Sequence, residues 1–94
     1  MKYHNNVFKK NKDVVERKID KDTILVPLFK SRDDINAIYT LNEMAGKIWE
    51  LIDGKRPVAK IREIILKKYK VTEDKLDKDL MKLINDLKKI KVIR

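Results

Sequence analysis

The single histidine in this chain of 94 residues, His4, is the side chain whose type best suits acid–base chemistry. It stands in a polar, basic stretch, with no second histidine and no cysteine to complete a metal site or a nucleophilic pair. The only glycines are Gly46 and Gly54, so neither a dinucleotide fingerprint nor a phosphate loop can be written. Carboxylates remain. Asp20 with Asp22, and Asp33 with Asp34, fall in polar turns and could hold a cation only weakly, so solvated turns explain them. Asp77, Asp79 and Asp86 are interspersed with Lys75, Lys78 and Lys82 at helical spacings, a pattern of surface ion pairs. No metal or cofactor is expected, and the chain reads as non-catalytic.

The same inventory bounds the setting. Without cysteine there are no disulfides. No run approaches eighteen apolar residues, and the first residues lack the apolar core of a signal peptide. A cytoplasmic, membrane-free protein is the expectation. The length suits one domain with a modest core. Net charge is +9, which brings nucleic acid to mind. Yet the densest basic stretch, 55–70, interleaves its cations with Val58, Ile61, Ile64 and Ile65, as the wet face of an amphipathic helix does. Charge alone names no partner.

Residues 1–12 read as a flexible or loosely docked basic lead-in, with 13–94 as the folded domain. Between Val14 and Leu41 the apolar pattern shortens to strand periodicity. Residues 14–19 and 23–29 form two candidate strands joined by a turn at Asp20–Asp22. Pro27 belongs at a strand end, an edge or a bulge because it has no N–H. After the polar segment 30–34, residues 36–41 make a third strand that runs straight into a helix. That helix has Asn42 as N-cap, Glu43 at the positive end of the dipole and Gly54 as a left-handed stop. Met44, Ile48, Trp49, Leu51 and Ile52 mark its buried side.

Pro57 and Val58 open a second helix, with Ile61, Ile64, Ile65 and Tyr69 on its inner stripe. Thr72 caps a third, spanning 73–90, where Leu76, Leu80, Leu83, Leu87 and Ile90 form an apolar seam widened by Met81 and Ile84. Val92 and Ile93 form a short terminal strand or lie on the core. The expected fold is α+β: a three-stranded antiparallel sheet followed by three helices, βββααα, in a winged-helix-like domain. One feature is unusual. Ala37 to Leu41 carry neither charge nor proline, so the third strand has no protection at its edge and invites a partner strand.

These pieces in this order resemble the PqqD-like family, the peptide-binding proteins also called RiPP recognition elements. The matching residues are Leu41-Asn42-Glu43, Ile48-Trp49-Glu50-Leu51-Ile52-Asp53-Gly54, Pro57-Val58 with Ile61, Tyr69-Lys70-Val71, and Asp79 with Leu80, Leu83 and Leu87. The family often has glycine before its last apolar pair, where this chain has Ile90-Lys91. The resemblance implies recognition of the leader segment of a ribosomally made precursor peptide. It also implies delivery to a modifying enzyme such as a radical SAM protein, a leader peptidase or a cyclodehydratase. The leader would add as a strand beside 36–41, pairing with the backbone of Ala37, Ile38, Tyr39, Thr40 and Leu41. It would pack on helix 73–90 against Asp79, Lys82, Leu83, Asp86 and Ile90. Leu41 and Leu83 also suit plain core positions. Lys82 between Asp79 and Asp86 gives that wall mixed sign.

The rival reading is a winged-helix DNA-binding protein. It would lay the third helix in the major groove, where Arg, Asn, Gln and Lys read bases. Here that helix carries Glu73, Asp74, Asp77, Asp79 and Asp86, which repel phosphates. Nucleic acid is therefore disfavoured, and a homodimer that exchanges strands stays open.

Overall fold

The computed structural model describes residues 2–28 and 38–94. Strands β1 (Val14–Ile19), β2 (Asp22–Pro27) and β3 (Tyr39–Leu41) form one antiparallel sheet in the order β1-β2-β3. Helices α1 (Glu43–Leu51), α2 (Val58–Lys68) and α3 (Glu73–Lys89) follow, so the α+β order βββααα is the observed one. Of the third strand expected over 36–41, residues 36 and 37 lie outside the described residues, and β3 begins at Tyr39.

Register sorts the strand side chains. Leu25 pairs with Glu16 on one side and Tyr39 on the other, so these three share the inner face. Leu25 is fully buried there, and Trp49 of α1 donates its indole N–H to Glu16 Oε2 at 2.9 Å. Asp20 takes a left-handed φ of 55° in the tight β1–β2 link, a conformation short polar residues tolerate. Pro27 sits at the end of β2, where a missing N–H costs least.

Helices α1 and α3 begin as their capping residues dictate. The Asn42 side chain accepts from Ala45 N at 2.9 Å, and Thr72 Oγ1 accepts from Lys75 N at 3.2 Å. At its far end α1 stops earlier than expected. Ile52 is the C-cap, and Gly54 (φ 78°) lies two residues beyond, where its N–H donates to Phe8 O at 3.0 Å. Its left-handed backbone therefore shapes the α1–α2 turn rather than terminating the helix. Asp53 completes that turn, accepting from Arg56 N and Lys55 N at 2.8 and 2.9 Å. Those backbone donors, Arg56 first, hold its carboxyl below the usual carboxylate value. The core collects Leu25 and Leu41 from the sheet, Ile48 and Trp49 from α1, Ile61 and Ile65 from α2, and the expected α3 seam from Leu76 to Leu87.

The opening segment departs from the expectation of a loose lead-in. Tyr3 and Phe8 are buried and meet edge to face, with centroids 5.8 Å apart. The Tyr3 hydroxyl donates to Asn85 of α3. The physical reason lies at the start of α2, whose N-cap Pro57 has no side-chain acceptor to offer. His4 O and Asn6 O accept instead from Ala59 N and Val58 N, each at 2.9 Å. Lys9 and Arg94 exchange two backbone hydrogen bonds, and Asn11 N donates to Val92 O. Residues 2–12 are thus part of the folded body, zipped to the tail whose Val92 and Ile93 are buried. His4 contributes a backbone carbonyl and leaves its side chain exposed.

Candidate binding groove

Among the described residues β3 pairs with β2 along one side only, and its other side is an edge of the sheet. Beside it opens a groove of about 370 Å³. Tyr39 and Thr40 of β3 form one flank, and Lys75, Asp79, Lys82 and Leu83 of α3 form the other. Met44, Ala45 and Ile48 of α1 contribute apolar lining, and Asp22 and Asn42 complete it. This arrangement follows from chain order. Leu41 enters the core, Asn42 caps, and the first turn of α1 rises directly beside the strand that precedes it.

A hydrogen bond fixes the spacing of the flanks. Tyr39 Oη donates to Asp86 Oδ2 of α3 at 2.8 Å. Burial, and then the bond to Asp86, push the Tyr39 hydroxyl up to about 12, so it remains a donor throughout the neutral range. Along the α3 rim Lys75 Nζ lies 3.2 Å from Asp79 Oδ2, and Lys82 Nζ lies 3.9 Å from Asp86 Oδ2. The rim thus alternates in sign at one-turn spacing. Its lysines stay largely exposed, so these pairs are worth only about 0.3–0.5 kcal/mol each and give way readily to a ligand charge.

Of the residues singled out in the sequence, Tyr39, Thr40, Asp79, Lys82 and Leu83 come together on the groove. Ala37 lies outside the described residues, and Ile38 is 65% exposed just ahead of β3. The Leu41 side chain is 1% exposed and belongs to the core, which leaves only its backbone near the edge. Asp86 acts as the acceptor for Tyr39 rather than as groove lining, and Ile90 packs half-buried against the core. Sequence reasoning missed Asp22, Asn42, Met44, Ala45, Ile48 and Lys75 as groove lining. For Met44 and Ala45 a signal existed: they follow the cap that ends the edge strand, so they stand beside it. Among the described residues no group of three His, Cys, Asp or Glu could hold a metal ion, and no helix is long and apolar enough to cross a membrane.

Residues 19–93 match the family model for coenzyme PQQ synthesis protein D, PqqD. The chain belongs to the PqqD family. That match starts at the end of β1 and takes in β2, β3 and all three helices, and with them every groove residue. No curated protein matches the chain. Solved structures do. A complex of TbiB1 with the TbiA(beta) leader peptide is 21% identical, covering 92% of this chain and 94% of that one, with a TM-score of 0.73. A lasso peptide synthetase B1 complexed with the leader peptide is 17% identical, covering 94% and 98%, also with a TM-score of 0.73. At these identities the likeness establishes the PqqD-like fold.

Proposed function

We propose that this PqqD-family protein is a non-catalytic recognition module for the leader segment of a ribosomally made precursor peptide. The leader adds as a strand along the open edge of β3, sets alternate side chains into the groove, and is presented to a modifying enzyme. Radical SAM proteins, leader peptidases and cyclodehydratases are the enzyme classes this role suits. The carrying observation is that the unpaired edge and the apolar-lined groove lie on the same side of β3. That both similar structures hold a leader peptide supports the same reading.

The division of labour follows from the geometry. β3 is three residues long, so an added strand gains few backbone hydrogen bonds, and those tolerate any leader sequence. Selectivity must come from side chains. An apolar leader residue fits over Met44, Ala45 and Leu83, while Asp79 and Lys82 meet leader charges of either sign at the rim. Tyr39 Oη and Asp86 satisfy each other and so can hold the flanks apart without demanding a ligand partner.

Titrating labelled leader peptides, taken from precursor genes beside the one that encodes this chain, tests the proposal. Low-micromolar or tighter binding is expected. It should be lost in Ile38→Pro, which removes a ladder donor and restricts the residue before it. A protein that binds duplex DNA but none of these leaders would overturn the reading.

A further inference from the structure

The groove leaves a cluster of eight cations near the two ends of the described chain unused. Residues 2–12 contribute Lys2, Lys9, Lys10 and Lys12, and residues 88–94 contribute Lys88, Lys89, Lys91 and Arg94. Neither segment contains an acidic side chain. The fold nevertheless brings them together. Lys9 N donates to Arg94 O at 2.8 Å and Arg94 N to Lys9 O at 3.0 Å, Asn11 N donates to Val92 O at 2.8 Å, and the Asn11 side chain donates to Lys91 O at 3.1 Å. A reciprocal pair of this kind puts the two side chains on the same face, and like charges directly opposite each other repel. Among the described residues none of the eight cations has a carboxylate within salt-bridge distance.

Three of the eight have an internal use. Lys2 and Lys88 lie over the Tyr3 ring at 5.5 and 5.1 Å, and Lys10 lies over Trp49 at 4.8 Å. Lys89 also gains from the negative end of α3. No such contact accounts for Lys9, Lys12, Lys91 or Arg94, all exposed. Lys91 even occupies a left-handed backbone position. The platform they form shares no residue with the groove.

We propose that this platform is a second docking surface, for an acidic stretch of polypeptide rich in Asp and Glu on a partner protein. A narrow acidic chain fits better than a nucleic-acid duplex. Asp13 follows Lys12 directly and Asp86 lies one turn before Lys89–Lys91, so a broad polyanion laid across the platform meets acids at its margins. The platform is also built from lysines with a single arginine, which supply charge without the forks that grip phosphates in pairs.

A labelled oligoglutamate peptide, with labelled random duplex DNA alongside it, is the probe. Neutralising Lys9, Lys12, Lys89 and Lys91 together to Gln is compared with neutralising Lys21, Lys68, Lys70 and Lys78 to Gln, which changes net charge equally. The first set is expected to weaken oligoglutamate binding about tenfold, the second far less. Leader binding should be unchanged in both. Equal losses from the two sets, or a matching loss of leader affinity, would overturn the proposal. Tighter binding of duplex through the same four lysines would replace it with a nucleic-acid surface. Lys9→Gln alone gives a second reading: relief of repulsion should raise the melting temperature at low salt, with the gain fading as salt rises. A fall would show that Lys9 serves the fold and would count against the proposal.

Discussion

Tyr39 and Asp86 are 47 positions apart in sequence, yet the Tyr39 hydroxyl donates to the Asp86 carboxylate at 2.8 Å and ties the edge strand to the third helix. Removing the hydroxyl with Tyr39→Phe should cost about 1 kcal/mol, or roughly 4–8 °C of melting temperature for a domain of this size. The hydroxyl also carries a pH signature, from its burial first and from the bond to Asp86 second. The folded-state pKa is raised to about 12 from 10.0, so the native state holds the proton longer than the unfolded chain does. Its contribution is complete below pH 10 and fades as pH climbs towards 12. Chemical denaturation of the two proteins over that window should show the parent losing stability faster than Tyr39→Phe. Parallel curves would mean that the hydroxyl is not held.

Ala45 lines the groove from α1 and is only half-buried, so space there can be filled without opening the core. Ala45→Leu adds apolar bulk where a leader side chain would sit. Leucine is nearly as good a helix former as alanine, so stability should move by less than about 0.5 kcal/mol. Leader affinity should fall about tenfold or more. Calorimetric titration of the variant checks this, and unchanged affinity would place the leader elsewhere.

The helices were legible because their signals are local. Asn42, Thr72 and the leucine seam act through residues three or four apart. The docking of residues 2–12 was not, because Tyr3 and Phe8 share no period and the segment is held by backbone groups of Val58, Ala59 and Arg94. Half of the groove was readable as well. The unprotected strand edge points to Tyr39 and Thr40, and the family resemblance to Asp79, Lys82 and Leu83, whereas Ala45, Asn42 and Asp22 join only when three elements converge.

Gly46 reports the closeness of α1 to the sheet. A Cβ added there would lie 2.9 Å from Thr23 Oγ1, a buried side chain on β2. Helix propensity alone would favour Gly46→Ala by about 1 kcal/mol. Overpacking costs about 1–3 kcal/mol and should win, because neither α1 nor β2 can yield without disturbing the core behind them. Thermal melts should show Gly46→Ala destabilised. Thr23→Ala in the same chain should restore part of the loss, since it removes the atom that clashes; additive losses would locate the strain elsewhere.

Lys91 has a φ of 64°, in the left-handed region where glycine is the unstrained residue. An L-residue in the left-handed region costs about 1–2 kcal/mol through its Cβ, and glycine avoids that cost while giving up some unfolded-state entropy. Lys91 is exposed, so no packing is lost with its side chain. Its carbonyl still accepts from Asn11 Nδ2 at 3.1 Å whichever residue is present. Lys91→Gly should therefore stabilise the protein by about 0.5–1 kcal/mol, while Lys91→Ala, which keeps the Cβ, should gain little. The pair separates backbone strain from charge, because both variants remove the same cation from the repulsive cluster. Equal gains in melting temperature would assign the effect to charge, and a gain confined to glycine would assign it to the backbone.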